Sequence, residues 1–346
     1  MAHSFLTVLV PSVIAFAITL VAVKFVMWYM GECGVTTHDI NKRHKPTVPS
    51  SLGIATAFGF AIGMLVYVFG SSFNFYVPVA SLEYLFATVL AVLLVAFVGF
   101  LDDINVRSKA THTTGMQDTR VGLKQWHKPL LTLIGAIPLM AVNAGVSTIS
   151  IPFLGMVNFG VLYPLIIVPL AIIFGANAFN LLGGFNGIQT GTASMAVFGM
   201  FLYSLAFNLY TGLLLSSVLL AALLATFVFD FYPSRIYGGD SFSYFAGTAI
   251  VALMVMGNME SFGIIIFIPW IVEFFLHARK RFDVTDLGRL QSDGTMRPPY
   301  GRKIYSWTHI IMNMGKMKEW QVSVTMFCIE GLFIALAFGL KFAALI

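Results

Sequence analysis

Five short stretches hold most of the side chains able to do chemistry. GFLDDIN (99–105) sets Asp102 and Asp103 at the end of an apolar run. NAFNLLGGFNG (177–187) places Asn177 and Asn180 at i, i+3, on one helix face, and follows them with glycines and Asn186. FDFYPSRIYGGDSFSYFAG (229–247) carries Tyr237 and, after two glycines, Asp240. FLHARKRFD (275–283) packs His277, Arg279, Lys280 and Arg281 into five positions. THDINKRHKPTVPSSLGI (37–54) mixes bases, prolines and a polar turn suited to a nucleotide or lipid-headgroup entrance.

Carboxylates are costly near hydrocarbon and face a cavity or a partner. A helix C-terminus is also the wrong end for negative charge. Asp102 and Asp103 therefore call for a cation, either Lys128 or a bound metal. Asparagine carbonyl oxygens ligate hard cations, and glycines let a backbone approach a ligand closely. Asp240 opens a helix, where phosphates collect, and a carboxylate there suits a metal that bridges phosphates. Arginine grips phosphate in a bidentate way. Each stretch also has a plainer reading: a solvated pair, an ordinary helix stop, an N-cap or a positive anchor. Together they describe a membrane-embedded site for a phosphorylated, lipid-linked substrate, with Mg²⁺ as the cation and Mn²⁺ as an alternative.

The elements that must position these groups follow from bulk composition. The chain of 346 residues is 58% hydrophobic and 10% charged, with a mean hydropathy of +0.87. Soluble domains carry about a quarter charged residues, so a soluble protein is excluded. Apolar stretches long enough to span occur at about 5–31, 51–70, 83–101, 129–145, 160–178, 188–209, 212–230, 240–257, 261–278 and 322–345. The fold class expected is an all-α integral membrane protein of about ten transmembrane helices, a single polytopic domain over 1–346. The N-terminal stretch lacks a basic n-region and a cleavage site, and is expected as a retained first helix. Cys33 and Cys328 match no metal or redox spacing.

Charge orients the chain. Loops after the first, third, seventh and ninth helices hold 18 of the 20 basic residues, and those after the second, fourth, sixth and eighth hold none. This asymmetry makes the odd-numbered loops cytoplasmic, at about 32–50, 102–128, 179–187, 231–239 and 279–321, and leaves both termini outside. Eleven of the 15 acids lie on the same face. Nothing points to nucleic acid.

In this order the motifs DINK (39–42) with its PSSLG turn, GFLDDIN, WHKPLL (126–131), NAFNLLGGFNG, YPSRIYGGDSFSYFAG and HARKR resemble the polyprenyl-phosphate N-acetylhexosamine-1-phosphate transferases. Within that superfamily the chain is most similar to the eukaryotic and archaeal dolichyl-phosphate branch. The resemblance implies transfer of GlcNAc-1-phosphate from UDP-GlcNAc to a dolichyl or polyprenyl phosphate, with release of UMP, at the start of lipid-linked oligosaccharide assembly for N-glycosylation. It further implies that Asn180 and Asp240 hold Mg²⁺, that Lys128 neutralises phosphate, and that Asp102 and Asp103 position or deprotonate the lipid phosphate. Asn186 and Tyr237 would lie at the uridine, with Arg279 and Arg281 at the diphosphate or sugar. Asn177 is expected beside them as a substrate contact. Direct attack by the lipid phosphate is favoured over a phospho-aspartate, because that phosphate is largely ionised near neutral pH.

Three departures stand beside the match. The loop after Asp103 is long, Ser50 stands where the eukaryotic enzymes carry an acid, and 282–320 carries none of the motifs of the resemblance. If that last segment shapes the sugar pocket, another UDP-N-acetylhexosamine becomes the donor; a bacterial-type polyprenyl phosphate is the alternative acceptor. A transporter is the rival from another class, and would predict polar residues near the middle of helices, broken helices and internal repeats. The divergent, short loops favour an archaeal plasma membrane over the endoplasmic reticulum. A homodimer is compatible with the sequence.

Overall fold

The computed structural model of the chain describes residues 2–76, 78–104, 106–109, 117–120, 127–151 and 155–345. Each of the ten apolar stretches is helical. They form α1 (Ala2–Glu32), α2 (Leu52–Ser72), α3 (Leu82–Asp103), a short apolar unit of α4 (His127–Thr132) and α5 (Ala136–Ala141), then α6 (Val168–Asn180), which a π turn at Tyr163–Ile167 precedes. After these come α7 (Ile188–Ala206), α8 (Tyr210–Asp230), α9 (Gly239–Met256), the pair α10 (Glu260–Ile266) and α11 (Ile268–Ala278), the short helix α12 (Trp307–Met314) and α13 (Glu319–Phe342).

Among the described residues, seven helices are long and apolar enough to cross a membrane, and an eighth span counts if α10 and α11 are one. That pair bends by 52° where Pro269, at the start of α11, has no N–H to continue the ladder. Two of the ten expected spans differ for physical reasons. The α4–α5 unit is short, and α7 is diluted by threonine, serine and glycine. The described residues also form four antiparallel hairpins: β1–β2 (Thr36–His38, Thr47–Pro49), β3–β4 (Val106–Lys109, Gln117–Arg120), β5–β6 (Thr148–Ile151, Gly155–Asn158) and β7–β8 (Arg289–Leu290, Met296–Arg297). Trp126 of WHKPLL, and most of the long loop after Asp103, lie outside the described residues.

Helix α9 is the axis. It is buried from Asp240 to Met256 and packs against α2, α3, α6 and α8. Apolar side chains gain nothing by leaving lipid for a helix interface, so close association needs small residues that let backbones meet. A Cβ on Gly99 of α3 would lie 2.4 Å from the Asp240 carbonyl oxygen, and one on Gly247 of α9 would lie 2.2 Å from the Gly175 carbonyl of α6. These contacts lock the C-termini of α3 and α6 beside the start of α9. The start of α2 joins them by backbone: Tyr237 N–H donates to Pro49 O at 2.8 Å, and Leu52 N–H to Tyr237 O at 3.1 Å. One end of the bundle thus gathers four helix termini.

Candidate active site

The first group of site residues is built on those termini. The α9 backbone turns in at Gly239, whose φ of +70° suits glycine, and its first amides point out of the helix unpaired. Asp103, fully buried at the end of α3, receives them: Oδ1 accepts from Asp240 N at 2.7 Å and Oδ2 from Ser241 N at 3.1 Å. Ser51 Oγ donates to the same Oδ2 at 3.1 Å. Negative charge is stabilised at a helix N-terminus, which explains how Asp103 tolerates burial at a helix end that disfavours it. A Cβ on Gly239 would lie 2.3 Å from that carboxylate.

Asp102, equally buried, faces the other way. The Lys128 ammonium, carried at the start of α4, lies 2.6 Å from Asp102 Oδ2 and 2.8 Å from Asp240 Oδ2. One cation is thus shared by two carboxylates from two helices. The adjacent aspartates, alike in sequence, divide their work: Asp103 fixes the start of α9, and Asp102 fixes Lys128. Asn180, at the end of α6, accepts from Ser243 Oγ of α9 at 2.8 Å.

The second group surrounds Asn186. Its amide nitrogen donates to Tyr237 OH at 3.3 Å and Asp39 Oδ2 at 3.4 Å, and its Oδ1 accepts from Lys42 Nζ at 2.9 Å and Ser234 N at 3.0 Å. Lys42 also pairs with Asp39 at 3.2 Å and with Glu319 at the start of α13. Asn41 Nδ2 donates to Gly184 O at 2.7 Å and Glu319 Oε1 at 3.1 Å. Burial, reinforced by the Asp39 carboxylate, pushes the Tyr237 hydroxyl well above its ordinary range, so it remains protonated.

Both groups border one cavity of about 350 Å³, lined among others by Asn180, Tyr237 and Asp240. Its size falls in the range of small-molecule sites. A further wall comes from the segment after α11. Asp286 lines the cavity, and its Oδ2 accepts from Gly183 N at 2.7 Å. Burial, with Glu273 adding repulsion, raises Asp286 to about 6.

The structure therefore brings together Asp102, Asp103, Lys128, Asn180, Asn186, Tyr237 and Asp240. Three expected residues lie elsewhere. Asn177 points at α4, donating to Thr132 Oγ1 at 3.0 Å and to Ile173 O at 2.8 Å, so it ties α6 to the helix that carries Lys128. Arg279 and Arg281 are exposed beyond the end of α11 and do not line the cavity; Arg279 donates to Ile304 O at 3.3 Å. Asp286 and Glu319 are the residues that sequence reasoning missed. Glu319 read as one more acid before an apolar run, and Asp286 sits in a segment without apolar periodicity.

Among the described residues, no three His, Cys, Asp or Glu side chains converge on a metal position. The chemistry of the donors nevertheless suits a hard cation. Two carboxylates meeting one ammonium leave net negative charge at a buried point, and Asn180 adds a carbonyl oxygen to the same wall. Mg²⁺ takes such oxygen donors, few from protein and the rest from water and phosphate.

Comparison with known proteins gives a consistent picture. Residues 85–258 match the model of glycosyl transferase family 4. A Sulfolobus acidocaldarius protein, provisionally named UDP-N-acetylglucosamine–dolichyl-phosphate N-acetylglucosaminephosphotransferase, is 33% identical over 96% of both chains. A Dictyostelium discoideum protein of that name is 22% identical over 90% of this chain and 82% of its own. A phospho-N-acetylmuramoyl-pentapeptide-transferase of Halalkalibacterium halodurans is 26% identical over 84% of each.

Proposed function

Since the chain belongs to glycosyl transferase family 4, we propose that it transfers N-acetylglucosamine 1-phosphate from UDP-GlcNAc to dolichyl phosphate. The products are UMP and the lipid-linked diphosphate sugar, which opens oligosaccharide assembly for N-glycosylation. The observation that carries the reading is Lys128, held between Asp102 and Asp240, with Asp240 lining a cavity that Tyr237, the partner of Asn186, also lines.

In this reading an oxygen of the lipid phosphate attacks the sugar-bearing phosphorus. The bond from that phosphorus to the bridging oxygen breaks, and UMP leaves with the electron pair. Such transfer depends mainly on positioning and charge neutralisation. Lys128 supplies a fixed cation for the phosphates, and Asp102 keeps its ammonium in place. Asp103 acts through Asp240 by setting the start of α9. Asn180 and Asp240 would hold Mg²⁺, which when bound neutralises the diphosphate. Asn186 and Tyr237 would frame the uridine. As the cavity stands, the reading needs neither Arg279 nor Arg281.

The test is UMP release by purified protein given dolichyl phosphate, Mg²⁺ and UDP-GlcNAc, beside UDP-GalNAc and UDP-glucose. Lipid-dependent release with UDP-GlcNAc supports the reading. Release with another donor alone replaces the sugar, and no release from folded protein sinks the reaction.

The membrane arrangement proposed is ten passes, both termini outside, and the cavity facing the cytoplasm of an archaeal plasma membrane. The one-sided distribution of lysine and arginine supports it. Cys33, exposed just past α1 at the cavity end, reports on this directly. An impermeant maleimide should label it in inside-out vesicles and spare it in right-side-out ones; the reverse pattern would invert the topology.

A further inference from the structure

Asn186 is a hub rather than a surface. It is 1% exposed, and its side chain engages Lys42, Ser234 N, Tyr237 and Asp39. A primary amide offers two donors and two acceptor positions, so all four are in use. Its backbone is engaged as well. Asn186 N–H donates to Glu319 Oε1 at 3.2 Å, and Ser323 Oγ donates to Asn186 O at 2.9 Å. Both partners are buried, and both belong to the first turns of α13, four residues apart and so on one helix face. We propose that Glu319 and Ser323 are positioning residues: through Asn186 they set Tyr237 and Asp39, two residues of the cavity wall, against the nucleotide half of the donor. This rests on the transferase reading above.

Neither residue is accounted for by its own helix. The start of α13 is closed by Gln321, whose Oε1 accepts from Lys318 N at 2.8 Å, so the helix does not need the Glu319 carboxylate as a cap. That carboxylate collects donors from two other elements instead: Asn186 N–H, Asn41 Nδ2 at 3.1 Å and the Lys42 ammonium. A serine or threonine inside a helix commonly bonds back to the carbonyl one turn earlier. Thr325 does so, donating to Gln321 O at 2.8 Å. Ser323 reaches across to Asn186.

The seat of α13 decides where this bracket falls. It packs along α7, which begins two residues after Asn186. A Cβ on Gly191 of α7 would lie 2.1 Å from the Phe327 ring, and one on Gly199 would lie 2.9 Å from Ile334. Close approach at two small residues fixes the height of one helix on the other. A slip of one residue moves a helix by about 1.5 Å, enough to part both hydrogen bonds to Asn186. Among the described residues none of α13 lines the cavity, so its influence on substrate is exerted through Asn186.

The experiment compares Ser323→Ala and Glu319→Gln with the unaltered enzyme. It measures KM for the UDP-sugar that the unaltered enzyme uses, inhibition by UMP, KM for dolichyl phosphate, kcat and melting temperature. Ser323→Ala removes one oxygen and adds nothing. Donor KM and the UMP inhibition constant should rise together by about fivefold, while kcat and the lipid KM stay within about twofold. Glu319→Gln, which turns an amide N–H toward Lys42, should give the same split at about tenfold, because the lost partner is charged. A lower melting temperature with unmoved donor KM and UMP inhibition would overturn the proposal and leave the pair as supports of α13. An equal rise in both KM values would overturn it too. Absence of UMP release from the unaltered enzyme would instead be the failure of the transferase reading, visible before any variant is made.

Discussion

Asp103 and Asp286 are both carboxylates that accept backbone N–H groups beside one cavity, yet they are held by different means. Asp103 is carried on a transmembrane helix. It is fully buried and locked against α9 by glycine-mediated backbone contact on the one side and two amide hydrogen bonds on the other. Asp286 is carried on the non-helical segment after α11; its carboxylate accepts one N–H, from Gly183, and single side-chain hydrogen bonds hold the backbone beside it. The difference separates two kinds of anchor. Charge at the reacting phosphates has to be placed by elements that cannot shift. A single anchor on a non-helical segment leaves Asp286 dependent on contacts made outside the spans.

The comparison breaks most directly at Lys128. Lys128→Met keeps the apolar stem and removes the shared cation, leaving Asp102 and Asp240 to face one another. Loss of a fixed charge at a transferring phosphoryl group costs up to about 10³-fold in turnover. UMP release should fall by that order, and the melting temperature should fall too, because two buried carboxylates lose their shared cation. A smaller loss than about tenfold would remove Lys128 from the reaction.

Asp103→Asn tests the other half of the pair. Its amide nitrogen cannot accept from the α9 amides, so a buried N–H is stranded at a cost of about 1–3 kcal/mol. Both melting temperature and turnover should drop, turnover by less than in Lys128→Met. Lost turnover with an unchanged melting temperature would instead put Asp103 in contact with substrate.

The smallest effect concerns the segment after α11, where His309 Nε2 bonds Thr285 O at 3.0 Å, and its sign can be worked out. His309 titrates near about 6.5 when unfolded and near about 4 in place. Between those values the unfolded segment binds more protons, so the stability that neutral His309 contributes is present above about 6.5 and is lost as pH falls toward 4. Asp286, raised from its ordinary 3.8 to about 6, acts oppositely, and stability falls as pH rises through that window. Hydrogen exchange over 285–309, corrected for intrinsic rates, should show His309→Gln removing the acid loss and leaving only the Asp286 trend. An unchanged pH profile would deny His309 its hold on the segment.

These two regions were unequally legible in the sequence. Helices announce themselves by apolar length, and the residues at their ends, Asp102, Lys128, Asn180 and Asp240, could be read as one cluster because charge sidedness put them on one face. The different duties of Asp102 and Asp103 could not be read, because adjacent residues on a helix point about 100° apart and only the packing decides which direction holds α9. The pair Asn177 and Asn180 shows the same limit. Spacing made them neighbours on α6, but the close crossing with α9 turned Asn180 to the cavity and left Asn177 facing α4. Asp286 was hidden for another reason. Its partner Gly183 lies 103 positions earlier, and nothing periodic in 282–320 says where that segment comes to rest.

The meeting of Gly99 with the carbonyl of Asp240 carries a consequence for descent. A side chain at 99 would wedge α3 from α9 and lift Asp103 off the amides it receives, so neither helix can drift alone. Lineages that share this bundle should inherit the two helix ends as a block. A change at either end would have to be matched at the other.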